Sequence, residues 1–170
     1  MIDDAEFETF ARAHGRALLS TGLLLTGSRQ SAEDLVQETL AYLYPRWEVV
    51  TTADAPVAYV RRCLTNRFVS SRRGAQANAM ATWELPDIWD GRDLGESVAT
   101  RHAIWQSLGT LPARQRAAIV LRYYHGLTDD DIAEILVCRP ASARSLISRG
   151  LRALRSDPSG VLTDGKEALR

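Results

Sequence analysis

An all-α chain of two small helical domains, joined by an acidic flexible linker, is what this sequence predicts. Three observations carry that expectation. Apolar residues recur at helical spacing along most of the 170 residues, and strand-type alternation is nowhere sustained. The 11 Gly and 6 Pro are too few for a turn-rich sandwich or barrel, and many sit where a helical period stops. Between residues 74 and 96 the period is lost, and Glu84 to Glu96 carries five acids against one Arg.

The elements follow in order. The first helix is expected from Asp3 to about Leu25, stopped by Thr26-Gly27. Ser31 reads as the N-cap of a second helix, with Asp34 in a capping box, running to about Tyr44 and closed by Pro45. A loop from Trp47 to Ala55 leads to a third helix, which starts near Asp54, accepts Pro56 in its first turn and reaches Arg73. Beyond the linker, one helix is expected over Val98 to Leu108 and another from Pro112 to His125-Gly126. Thr128 caps a short helix through Leu136, and after Val137 to Pro140 a last helix runs from Ala141 to about Arg155. The domain bounds are accordingly 1–73, 74–96 for the linker, 97–157 and a flexible tail 158–170.

Several function classes are disfavoured. The most apolar stretch, Ala17 to Leu25, is broken by Ser20, Thr21 and Gly22 and falls short of the ~20 residues that span a bilayer. It follows acids, the reverse of a signal peptide, so a cytoplasmic protein with no membrane insertion is expected. Cys63 and Cys138 lack metal-ligand spacing and read as small buried hydrophobes. His14, His102 and His125 are scattered with no partner at catalytic spacing, and no P-loop or nucleophile motif is present. No enzyme activity, metal or cofactor is expected.

The charge is balanced overall, with 21 basic and 21 acidic residues, but it is unevenly distributed. Ala55 to Arg73 holds five arginines and no acid, and so does Arg139 to Arg155. Local potential, not net charge, governs phosphate contact. The last two helices have the arrangement of a helix-turn-helix. On the final one, Ala143, Ile147, Leu151 and Leu154 face inward. Ala141, Ser142, Arg144, Ser145, Ser148, Arg149 and Arg152 form the exposed or flanking face suited to a major groove. A solvated basic face is the plainer alternative.

In the third helix Val57, Val60, Leu64 and Phe68 make the apolar stripe. Tyr59, Arg61, Arg62, Asn66, Arg72 and Arg73 are candidates for contacting unpaired DNA, with a simple basic helix equally open. In the second, Ala32, Val36, Thr39, Leu40 and Leu43 share one side. Asp34, Gln37, Glu38 and Ala41 share the other, which either sits in water or docks on a basic partner. The acidic run Asp129 to Asp131 is expected to face away from DNA.

Taken together these segments resemble the extracytoplasmic-function sigma factors. Ala32 to Leu40 is similar to the region 2 signature, and Tyr59-Val60-Arg61-Arg62 through Asn66 to Arg73 to its promoter-melting continuation. Leu111 to Arg116, Val120 to Tyr124 and Leu127-Thr128 resemble region 4. Leu23 to Gly27 and the Tyr123-Tyr124 pair are especially like the actinobacterial sigma E group.

The resemblance implies a sigma region 2 bundle and a sigma region 4 helix-turn-helix that clamp RNA polymerase core, through its β′ and β subunits, and promoter DNA. Asp34, Leu35, Gln37, Glu38 and Ala41 would meet the β′ coiled coil. Tyr59, Arg61, Arg62, Asn66, Arg72 and Arg73 would hold the unpaired −10 element. The last helix would read the −35 duplex. An anti-sigma factor is a further partner that the family implies. Val137 departs from the usual Gly, Leu146 from the usual Arg or Gln, and Pro140-Ala141 from a small apolar-Gly pair. A stand-alone LuxR-like regulator, or an interaction protein that has lost DNA binding, are the competing readings.

Overall fold

The computed structural model describes residues 4–72 and 107–156, all helix and connection with no strand among them. Arg73, the acidic stretch 74–96, most of the helix expected over Val98 to Leu108 and the tail 158–170 lie outside the described residues.

Helix α1 spans Asp4–Thr26. It stops because Gly27 takes φ 80°, a left-handed cap open to glycine, while its N–H donates to Leu23 O at 2.8 Å. Ser28 is extended, and its Oγ accepts from Ser31 N, so Ser28 is the N-cap of α2, Arg29–Leu43. The expected cap at Ser31 is therefore three residues late. Ser31 already lies inside the helix, and Asp34 is an exposed residue outside the capping turn.

A 3₁₀ turn, Tyr44–Arg46, accommodates Pro45 and leads into α3, Trp47–Thr51. The first part of the loop expected over Trp47 to Ala55 is thus a helix. It is helical because Trp47 and Val50, three apart, both enter the core at 2% and 0% exposure. Helix α4, Pro56–Ser71, opens on proline at its first position, where a missing N–H costs nothing. Leu18, Leu25, Leu43, Trp47, Val50, Val60, Leu64 and Phe68 fill the space between α1, α2, α3 and α4.

In the second half α5, Ala113–Ile119, runs directly into a π-helical stretch, Val120–Tyr124, closed by His125 N donating to Val120 O. Helix α6, Asp129–Ile135, has a full capping box between Thr128 and Asp131. Helix α7, Pro140–Arg155, packs on both α5 and α6. Ala143, Ile147 and Leu154 are buried as expected, and Gly150 lets α7 approach Ile119, whose Cγ1 would lie 3.0 Å from an added Cβ.

The turn between α6 and α7 keeps the geometry of a Schellman cap: Cys138 N donates to Ala133 O and Val137 N to Glu134 O. Val137 occupies the left-handed position at φ 50°, exposed at 77%. Val137 thus holds a cap position that favours glycine, and its branched side chain is strained there.

The two halves do not stand apart. From Ser20 to Gly27 every residue is buried, because α2 and α4 cover one flank of α1 and the second half covers the other. Arg116, on α5, is 8% exposed and donates from Nη1 to Leu25 O at 2.7 Å across the junction. From Nη2 it donates to Gly109 O and Leu111 O within its own half. Its guanidinium also lies 5.8 Å from the Phe68 ring. Burial pulls its pKa down to about 10, with Arg72 adding to the shift. His125 Nε2 lies 3.1 Å from Thr21 Oγ1, whose own proton goes to Ala17 O.

Candidate nucleic-acid interface

Three sets of residues were expected to meet partners, and each has a distinct setting. On α2, Asp34, Gln37, Glu38 and Ala41 are all exposed along one side. Leu35 does not belong with them. At 7% exposure its side chain serves the core, since it sits one position from Val36 on the edge of the buried stripe. Glu38 accepts from Arg67 Nη2 at 3.3 Å, and Arg67 and Arg46 both stack over the exposed Tyr42 ring. The α2 and α4 sets are therefore neighbours.

On α4, Val60, Leu64 and Phe68 are buried, whereas Tyr59, Arg61 and Asn66 are only half exposed. Arg62 donates from Nη1 to Glu134 Oε1 of α6 at 2.5 Å. Burial lowers the Arg61 guanidinium below its ordinary pKa, partly countered by Tyr124 of the second half. Arg72 is exposed and flanks Phe68 at 5.9 Å. Two of the arginines expected on unpaired DNA are thus held against the second half of the same chain.

On α7, Ala141, Ser142, Arg144, Ser148, Arg149 and Arg152 are exposed, and Ser145 is half exposed. Ser145 Oγ accepts from Nε and Nη2 of Arg149, one turn on, which folds that arginine along its own helix. Leu146 turns back and packs against the core.

Asp129 does not face away from this set as expected. Its Oδ2 accepts from Arg144 Nε at 3.0 Å, and its Oδ1 accepts from Arg122. Sequence reasoning also missed Arg116, Glu134, Thr21 and His125. An arginine beside Ala117-Ala118 in an otherwise apolar turn was the one available signal for Arg116.

His125 lies beside Arg61 and Tyr124, and burial with the Arg61 charge drops its pKa to about 3. Among the described residues no cluster of His, Cys, Asp or Glu could hold a metal ion. No described helix is long and apolar enough to cross a membrane. Both cysteines are free and half-buried.

A helical bundle followed by a basic helix-turn-helix is the arrangement of a DNA-binding protein. The Sigma-70 region 2 family matches residues 10–78, and the Sigma-70, region 4 family matches residues 101–154.

The chain is 30% identical over 152 residues to the RNA polymerase sigma-E factor of Streptomyces coelicolor, covering 89% of this chain and 85% of that one. It is also 30% identical to the ECF RNA polymerase sigma factor SigL of Mycobacterium tuberculosis, over 84% of this chain and 82% of that protein. Among solved structures, the sigma factor RpoE of Bartonella quintana, in complex with the anti-sigma factor NepR, has the same fold. The TM-score is 0.67 at 23% identity, covering 95% of this chain and 99% of that one.

The chain belongs to the extracytoplasmic-function sigma factors of the sigma-70 family. It is an RNA polymerase sigma factor, which binds core polymerase and directs initiation at promoters through their −10 and −35 elements.

Proposed function

We propose that the outer face of α7 reads the −35 duplex through Ser142, Arg144, Ser148, Arg149 and Arg152, with Ala141 and Ser145 at its edge. The observation that carries this is an exposed face of small hydroxyls and arginines, free of acids, on the second helix of a helix-turn-helix. Asp34, Gln37, Glu38 and Ala41 form the edge offered to the β′ subunit. Tyr59, Arg61, Arg62, Asn66 and Arg72, with Arg73 beyond the described residues, form the surface offered to the unpaired −10 strand. Residues 1–73 and 97–157 are the two domains in this reading, with 74–96 linking them.

The chain works as an initiation factor and catalyses no reaction itself. It acts in the cytoplasm, where the polymerase is, and an anti-sigma factor is a further partner. Arg62 is bonded to Glu134 and Arg61 is half-buried against the second domain, so in this reading core polymerase parts the two domains before both arginines hold the −10 strand. Binding through two linked modules then multiplies their affinities once the geometry of the promoter complex fits both.

The test is run-off transcription from a genomic fragment library by core polymerase, with and without this protein. New start sites sharing two upstream elements are the expected result. Core binding without transcripts would remove the assigned DNA-reading faces. An absence of core binding would remove the docking edge on α2.

A further inference from the structure

We propose that Asp129 is a positioning residue for −35 recognition, one that fixes Arg144 in the orientation that meets a base edge. The inference deepens the reading of α7 given above and rests on it.

A carboxylate beside a DNA-facing helix repels phosphate, so its presence there calls for a reason. Asp129 is the first residue of α6, and its side chain is only 21% exposed. Behind it stands Arg122, on the π-helical stretch, which donates from Nη1 to Leu127 O at 2.8 Å and from Nη2 to Asp129 Oδ1. In front stands Arg144, 73% exposed, which donates from Nε to Asp129 Oδ2 at 3.0 Å. The carboxylate is therefore held from inside the domain by one arginine while it holds another at the surface.

Two consequences follow from the chemistry. The bond to Asp129 uses only Nε, and Nη1 and Nη2 of Arg144 have no partner among the described residues. That end of the guanidinium is a two-pronged donor pair of the kind that meets guanine O6 and N7. A long arginine left to itself samples many rotamers, and the tether removes that disorder before DNA arrives, which sharpens discrimination. The triad also carries two positive charges and one negative. Arg122 thus offsets the carboxylate, and the surface arginine keeps its attraction for phosphate.

The neighbouring acids have other work or none. Asp131 accepts from Thr128 N and Oγ1 in the capping box, and Asp130 is simply exposed. Arg149, by contrast, is steadied by the neutral Ser145 on its own helix, so α7 holds two of its arginines by different devices.

The experiment uses holoenzyme reconstituted with the full chain and the strongest promoter found by run-off transcription, with its −35 base pairs randomised. Bound and unbound duplexes are sequenced for the unaltered chain, Asp129→Asn, Arg144→Ala and the double variant. Arg144→Ala is expected to lower discrimination at one or two adjacent base pairs by about fivefold. Asp129→Asn is expected to lose discrimination at those same positions. Its affinity for all sequences together should hold or rise, because a negative charge has gone. In the Arg144→Ala background the Asp129 change should do nothing further to discrimination.

If Asp129→Asn weakens binding to every sequence equally, or acts as strongly without Arg144 as with it, then Asp129 merely supports the α6–α7 hairpin and the proposal falls. If Arg144→Ala leaves every position unchanged, the assignment of Arg144 to the −35 element falls and takes the proposal with it. Asp129→Glu guards against a folding defect. It keeps the charge and both acceptors one carbon further out, so partial recovery at the same base pairs supports the tether, and recovery of stability without discrimination opposes it.

Discussion

Helices α4 and α7 look alike as sequence and behave differently as structure. Each spans 16 residues, opens on a proline at its first position and carries arginines without acids. On α7 those arginines are exposed, and the two with partners are steadied by residues of their own domain. On α4, Arg62 is bonded to Glu134 of the other domain, Arg61 is half-buried beneath it, and Arg67 is bonded to Glu38. A basic helix therefore advertises a capacity for nucleic acid, whereas the packing around it decides whether that capacity is offered. In this chain the basic face of α7 is open, whereas two arginines of α4 are held against the second half.

The strongest way to break the contrast is to remove Arg116, one of the buried polar residues that join the two domains. Arg116→Met would keep the bulk of the side chain but leave Leu25 O, Gly109 O and Leu111 O short of a donor. Losing a buried, carbonyl-bound cation of this kind costs about 3 kcal/mol. Urea denaturation should show that loss. Small-angle scattering should show a larger radius of gyration as α4 becomes as open as α7. An unchanged radius would mean that Arg116 only stabilises its own domain.

Acid should open the same junction more gently. Half-buried beside Arg61, the His125 ring has its pKa depressed to about 3, against about 6.5 in water. A depressed value means that the packed state is favoured fully above pH 6.5 and loses ground as pH falls from there toward 3. Between pH 7 and pH 5 the loss is about 2 kcal/mol. Thr21, Arg61 and Tyr124 face the ring. Scattering should therefore report expansion at pH 5, and His125→Gln should flatten the pH dependence.

The contrast between α4 and α7 was only half legible in the sequence. Periodicity located α1, α2, α4 and the helix-turn-helix, because each buries a full apolar stripe that repeats over several turns. It missed α3, since five residues carry too little period, and it placed the cap of α2 at Ser31 because Ser28 offers the same hydroxyl three residues earlier.

The outward set on α7 could be read because its reverse face is plainly apolar. The fate of Arg62 could not. Glu134 lies 72 positions away on a helix whose acids looked like solvent-facing charge. Leu35 is buried where an exposed edge was expected, because one step of 100° separates a buried position from an exposed one at the edge of a stripe. The full burial of Ser20 to Gly27 was visible as an apolar stretch, but nothing local said that a second domain would supply part of the cover.

A smaller effect is expected at the turn that sets α7 in place. Val137 holds φ 50°, where a branched side chain is strained by ~1–2 kcal/mol. Val137→Gly would release that strain while adding the freedom glycine has in the unfolded chain, so the net gain is about 1 kcal/mol. Thermal unfolding should shift upward. Because the backbone path is already that of a glycine cap, −35 discrimination should stay as it is, which would separate the rigidity of α7 from its specificity.

The smallest expected effect is the one closest to the promoter. Arg62 and Glu134 form a pair whose side chains are 38% and 72% exposed, so water screens it and it contributes well under 1 kcal/mol. Glu134→Ala should barely move the denaturation midpoint. It should, however, free Arg62, and the free protein should bind a single-stranded oligonucleotide of the −10 sequence about twofold more tightly. The gain should shrink as salt is raised and vanish in an Arg62→Ala background. If the gain persists there, the carboxylate acts by simple repulsion of DNA. If no gain appears at any salt, burial beneath the second domain covers α4 by itself, and only the parting of the domains can make its arginines available.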